Sequence, residues 1–363
     1  MADVDPAGER PPARPVSTPK RVVRALLSVA VVLVVFVVVL PRIADLSEVR
    51  QQVGAMTGIE LATLLVLGIW NLASYAFVYV AALPGLRTGQ ALVVTQSSTA
   101  IANTVPAGFG FGIGVTWGML ASWGFRRPDI TLLVLVTGVW NIFAKLALPI
   151  AALALVALDG DTSTGSVLAA GAGVAALTGA VAVMAVLLRS EAGARRVGAG
   201  AERVVNAVLR AVGRPPVTGW EGSAVTFRSS TNELLRTRWA ALTVATLVSH
   251  LSLFAVLLLT LRHVGVSEDE VSWPAALAGF AFVRLVSALP VTPGGLGVVE
   301  LGLTAALVAA GGEREPVVAA VLVYRAITYL LPIPAGGLSL LLWRRWRRAP
   351  DQVPVEVPSS SAP

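Results

Sequence analysis

The sequence predicts an all-α polytopic membrane protein: a helical bundle with inverted repeats and two broken or re-entrant helical hairpins. Three observations predict it. Hydrophobic residues make up 55% of the 363 positions and charged residues only 13%, where soluble domains carry about a quarter charged residues. Several apolar runs reach the roughly 20 residues that a spanning helix needs. Two further apolar regions are interrupted by proline and glycine, as N-T-V-P-A-G-F-G-F-G-I-G at 103–114 and L-P-V-T-P-G-G-L-G-V-V-E-L-G at 289–302.

The elements follow in order. Residues 1–21, rich in Pro, Ala and Arg, read as a disordered cytoplasmic tail. The apolar run 22–40 is longer than a signal-peptide core and no small-residue cleavage site follows, so a retained span is expected there. Spans are expected at 58–83, 130–158, 166–188, 240–261 and 317–343, and broken regions at 89–124 and 273–310. The membrane domain thus covers 22–343, and a basic, disordered cytoplasmic tail is expected at 344–363. The polar loop 189–238 contains a stripe of Val204, Val208 and Val212 with Arg196, Arg203 and Arg210 off it. That pattern suits an amphipathic helix on anionic headgroups.

Charge sets the sidedness. Cytoplasmic loops carry an excess of Lys and Arg, which places Arg87, Arg126, Arg127, the 189–238 loop and the final arginine cluster inside. Asp159, Asp161, the acids at 268–270, Glu313 and Glu315 then lie outside. These assignments agree only if 89–124 and 273–310 each enter and leave on one side, as a re-entrant hairpin or a pair of short helices. The two regions then have opposite orientations. Pro106-Ala107-Gly108-Phe109-Gly110 lays over Pro293-Gly294-Gly295-Leu296-Gly297, and Leu148-Pro149-Ile150 over Leu331-Pro332-Ile333. Inverted repeats with broken helices meeting near the midplane are a common transporter architecture.

Breaking a helix in hydrocarbon frees backbone groups that protein or water must satisfy, so the breaks are expected to line a cavity. Four charged residues fall inside spans: Lys145, Arg284, Glu300 and Arg325. Intramembrane charges are expensive and usually pair or face water. Arg284 and Glu300 flank the second break, where a hairpin brings them within pairing range. Three cations against one acid leave an excess that an anionic substrate group, such as a phosphate, balances. Asn71, Ser74, Tyr75 and Tyr79 share a helix face and read as inter-helix hydrogen bonds. Asn103 reads as the cap of a half-helix, Gln96, Ser97, Ser98 and Thr99 as interior-facing, and His250 as a packing histidine.

Several classes are excluded. There is no cysteine and the two histidines lack ligand-spaced neighbours, so no metal site or cofactor is expected. The net charge of +7 lies in loops flanking spans, which argues against nucleic acid. The acids at 268–270 read as a solvated loop, so an enzyme is not expected.

The run R-L-V-S-A-L-P-V-T-P-G-G-L-G-V-V-E-L-G at 284–302, with Y-R-A-I-T-Y at 324–329, resembles the lysylphosphatidylglycerol synthase transmembrane region family over roughly 22–343. The resemblance implies a flippase-like domain, stand-alone and without the synthase domain. It points to Arg284, Pro293, Gly294, Gly295, Gly297, Glu300 and Arg325 as motif positions, with Asn103, Pro106 and Gly108 matching an N-x-x-P-x-G pattern. The acid and arginine that many members carry shortly after that pattern are replaced here by Gly and apolar residues. The expected function is translocation of an anionic or aminoacylated phospholipid, or a lipid-linked intermediate, across the bacterial plasma membrane. Both termini are expected in the cytoplasm, and the oligomeric state is left open. The competing readings are a membrane-embedded transferase on a lipid-linked substrate and a non-transporting membrane partner.

Overall fold

A computed structural model describes residues 46–105, 108–158, 164–211, 213–287 and 292–348. The first expected span, the N-terminal tail and most of the C-terminal tail lie outside them. Every regular element among the described residues is helical. The helices are α1 (Leu46–Ala55), α2 (Gly58–Ala82), α3 (Thr88–Thr104), α4 (Gly108–Ser122), α5 (Arg127–Leu158), α6 (Thr164–Arg189), α7 (Glu191–Ala211), α8 (Trp220–His263), α9 (Trp273–Val286), α10 (Val298–Ala309), α11 (Arg314–Arg325) and α12 (Pro332–Arg348). A wide turn at Ala326–Leu330 joins α11 to α12, and Leu331 N–H donates to the Ala326 carbonyl five residues back.

Local signals fix the helix starts. Thr57 and Glu60 form a reciprocal capping box on α2, in which the Thr57 hydroxyl accepts from Glu60 N–H at 3.3 Å and Glu60 accepts from Thr57 N–H at 2.7 Å. Ser272 caps α9, and Pro274 sits in its first turn, where no intrahelical N–H is needed. Two of the acids at 268–270 are engaged in the same loop. Glu268 pairs with Arg262, and Glu270 accepts from Ser267 N–H at 2.6 Å. That N–H, with the Ser267 hydroxyl, holds the Glu270 carboxyl below the usual carboxylate range.

Among the described residues five helices, α2, α5, α6, α8 and the continuous α11–α12, are long and apolar enough to cross a membrane. The two interrupted regions are helical hairpins. Their legs have 17 and 15 residues in α3–α4 and 14 and 12 in α9–α10. Each leg is shorter than the roughly 20 residues a full crossing takes. Close backbone approach joins the first hairpin, since a Cβ on Gly108 would lie 2.3 Å from the Ala102 carbonyl oxygen. Gly108→Ala is therefore expected to spread the hairpin and cost about 1–3 kcal/mol, read as a lower midpoint in thermal unfolding of the purified protein. No shift in the midpoint would contradict the observed contact.

The halves interlock. Hairpin α3–α4 packs through α3 along α12, and hairpin α9–α10 packs through α9 along α5. Helices α2 and α8, which precede the two hairpins, pack on each other. Exchanging the halves maps each of these contacts onto its counterpart, as an inverted repeat requires.

Two apolar cores result. Hairpin α9–α10 and α11 build one with Leu64 of α2 and Phe254, Leu257 and Leu261 of α8. Hairpin α3–α4 builds the other with Ala76, Val78 and Ala82 of α2 and Leu234 and Leu242 of α8. Between them α2 and α8 carry a polar belt. There Asn71 Nδ2 donates to Ser252 Oγ at 2.8 Å and to the Ser249 carbonyl at 3.1 Å, which meets the inter-helix expectation for this residue.

The polar 189–238 segment differs from expectation in extent. It is mostly helix, and the span expected from residue 240 starts at Trp220, making α8 44 residues long. Its polar first half lacks a membrane signal but is held by contacts. The Leu188 carbonyl accepts from Arg228 Nε and Asn232 Nδ2 at 3.1 and 3.0 Å, and Asn206 clasps Val217 through two 2.8 Å bonds. The C-terminal helix likewise continues beyond residue 343 to Arg348.

Candidate functional site

The two breaks meet. A run of left-handed glycines, Gly294, Gly295 and Gly297, turns the chain between α9 and α10 at φ of 56°, 71° and 82°. L side chains rarely adopt such φ, which accounts for P-G-G-L-G at this point. Pro293 opens the turn. Gly294 is packed under Tyr329 and Asn103, where a Cβ would lie 2.4 Å from the Tyr329 ring and 3.0 Å from Asn103 Oδ1. Tyr329 in turn donates its hydroxyl to the Asn103 carbonyl at 2.8 Å and accepts on its own carbonyl from Asn103 Nδ2 at 3.3 Å. Asn103 therefore ties the first break to the wide turn before α12 and does not cap a half-helix. Pro106 lies outside the described residues.

The buried acid pairs differently from expectation. Glu300 is 1% exposed, and its Oε1 accepts from Arg325 Nε at 2.8 Å, not from Arg284. Its Oε2 accepts from Gly297 N–H at 2.7 Å, closing the first turn of α10. Arg325 also donates to the Gly294 carbonyl at 3.1 Å, and its guanidinium lies 4.5 Å from the centre of the Tyr329 ring. The glycine turn brings Glu300 to Arg325 of α11, and Arg284, on the last turn of α9, is not its partner.

Arg284 instead borders a cavity of about 400 Å³ in the polar belt. Tyr75 and Tyr79 of α2, Gln96, Ser98 and Thr99 of α3, Asn141 of α5, Ser249 and His250 of α8 and Thr328 line it. The expected interior position of Gln96, Ser98 and Thr99 is thus met. Within this lining, Gln96 Oε1, Asn141 Oδ1, His250 Nε2 and Arg284 Nε are buried and have no protein partner. Buried polar groups are ordinarily bonded, so these four atoms, on residues that line one cavity, are left unsatisfied among the described residues. Lys145 is not part of the lining but lies within electrostatic range of Arg284 and His250, as Arg325 does of Arg284.

Of the residues singled out in the sequence, Glu300, Arg325, Asn103, Gly294 and Gly297 form the junction of the breaks, with Gly295 in the same turn. Gly108 sits where the two legs of the first hairpin approach closely, and Arg284 lines the cavity, with Lys145 in electrostatic range of it. The sequence reading missed Asn141 and Thr328, and also Thr116 of α4, which lines the same cavity. An amide one helical turn before Lys145 is the only signal that pointed to Asn141. His250, expected as packing, is 3% exposed and bonds Thr246 O through Nδ1 at 3.1 Å, yet it belongs to the cavity lining and its Nε2 has no partner among the described residues.

An interlocked pair of short helical hairpins around a polar, cation-bearing cavity, with five long apolar helices among the described residues, defines a multi-pass helical membrane protein. The chain belongs to the lysylphosphatidylglycerol synthase TM region family, whose model matches residues 25–336. No curated protein matches it significantly.

Proposed function

We propose that this protein translocates a lipid with an anionic phosphate headgroup across the bacterial plasma membrane, with the headgroup in the cavity and the tails in the bilayer. One observation carries the reading: Arg284, in the lining of a polar cavity, has a buried guanidinium nitrogen without a partner among the described residues. Glu300 neutralises Arg325, which leaves Arg284 and Lys145 to be balanced by an incoming anion. Guanidinium matches phosphate geometry well. The family membership and the meeting of two broken hairpins, a feature of transporter binding sites, support the same conclusion. Charge distribution supports cytoplasmic termini.

Arg284→Ala is expected to abolish fluorescent phospholipid translocation in proteoliposomes, while Arg284→Lys retains part of it as a point charge without the planar fork. Full activity of the alanine variant would remove Arg284 from the transport path.

Helix α7 fits a membrane-surface position. Val204 and Val208 are 67% and 60% exposed, and Arg196, Arg203 and Arg210 are exposed beside them. Since the chain has no cysteine, Val204→Cys accepts a single fluorophore. Nitroxide-bearing lipid is expected to quench it; a label reached only by an aqueous quencher would place α7 in solvent.

A further inference from the structure

The cavity's unpaired atoms also carry information about which headgroup it accepts, an argument that rests on the translocation reading above. We infer that the cavity selects a phosphate headgroup bearing hydroxyl groups and no ammonium: a glycerol, polyol or sugar phosphate lipid, and not an aminoacylated one.

The polarity of the free atoms is set by what their neighbours use. Gln96 Nε2 donates to the Leu72 carbonyl at 2.7 Å, which leaves Oε1 as the free end of that amide. His250 Nδ1 faces the Thr246 carbonyl at 3.1 Å. A carbonyl only accepts, so the ring proton sits on Nδ1, and in the neutral ring Nε2 is a bare acceptor. Asn141 Oδ1 is a third acceptor in the orientation observed. Three residues of the cavity lining, on α3, α5 and α8, therefore each carry a buried free acceptor, and the cation of the same lining, Arg284, comes from α9. A phosphate satisfies the guanidinium. The acceptors call for donors on the same headgroup.

Hydroxyl and ammonium groups both donate, and charge separates them. Among the described residues that line the cavity there is no Asp or Glu. Glu300, beside the second break, has both carboxylate oxygens engaged, by Arg325 and by Gly297 N–H. Lys145 lies within electrostatic range of Arg284 and His250. An ammonium entering here meets uncompensated positive charge in a medium that screens poorly. A hydroxyl supplies the donor without that repulsion. A volume of about 400 Å³ lies within the range of small-molecule pockets and has room for a phosphate with a short polyol.

The test compares three fluorescent lipids in proteoliposomes. Phosphatidylglycerol carries phosphate and two hydroxyls, phosphatidylpropanol has the same charge without the hydroxyls, and lysylphosphatidylglycerol adds the ammonium groups. Wild type is expected to move phosphatidylglycerol at least about tenfold faster than either of the others, because a site built to bond hydroxyls strongly rejects an analogue that lacks them. Gln96→Met, which removes one acceptor at similar volume, is expected to narrow the gap to phosphatidylpropanol. Gln96→Glu, which adds an acid to the lining, is expected to raise transport of the lysylated lipid. Equal rates for phosphatidylglycerol and phosphatidylpropanol, or for phosphatidylglycerol and its lysylated form, would overturn the inference and leave the translocation reading standing. Movement of none of the three would remove the translocation reading and this inference with it.

Discussion

Arg325→Met is expected to destabilise the protein by about 3–5 kcal/mol, the usual consequence of leaving one member of a buried ion pair without its partner. Glu300 is 1% exposed, and without Arg325 only the Gly297 N–H, among the described residues, remains bonded to its carboxylate. The same substitution removes the bond to the Gly294 carbonyl and the contact over Tyr329, so the junction of the two breaks loosens as a unit. Equilibrium unfolding of the purified protein measures the loss. The double variant Glu300→Gln with Arg325→Met is expected to recover much of it, because it removes the stranded charge. A double variant as unstable as Arg325→Met alone would show that the charge is not the cause.

The second large effect is expected at Gly336. A Cβ there would lie 2.3 Å from the Gln96 carbonyl oxygen and 2.3 Å from the Ala100 Cβ, so α12 must move off α3. Overpacking of this kind costs about 1–3 kcal/mol. Gln96 lines the cavity, so the displacement is also expected to slow transport more than the loss of stability alone would. Gly337 is the matched control. It has open space where a Cβ would be, and Gly337→Ala is expected to be neutral or to stabilise α12 by up to about 1 kcal/mol. Indistinguishable thermal midpoints for the two alanine variants would contradict the observed crossing of α3 and α12.

The hairpins and the exchange of halves were legible in the sequence because glycine and proline in apolar sequence have few structural uses, and because the charge pattern independently required both regions to return to their own side. The left-handed turn at 294–297 follows from three glycines in four residues. The partner of Glu300 was not legible. Arg284 is nearer along the chain, but the handedness of that turn decides where the carboxylate points, and it points to Arg325. The wide turn at Ala326–Leu330 changes which residues of one helix share a face, and nothing in A-I-T-Y-L announces it. The first half of α8 was read as loop because its residues face neighbouring helices through single polar contacts such as Arg228 and Asn232 to Leu188, which leave no periodic trace. The cavity lining was only partly legible, since it collects single residues from helices far apart in sequence.

The interlocking of the halves also orders events during synthesis. Asn103 and Tyr329, bonded across the junction, are 226 residues apart in the chain. At ordinary elongation rates of about 5–20 residues per second, the first hairpin waits roughly 10–50 s for the helix that completes its packing. For that interval its polar α3 face has no α12 against it. The nascent first half is therefore a natural client for an insertase or chaperone, and interruption of translation before α12 would leave an orphan hairpin for quality control to remove.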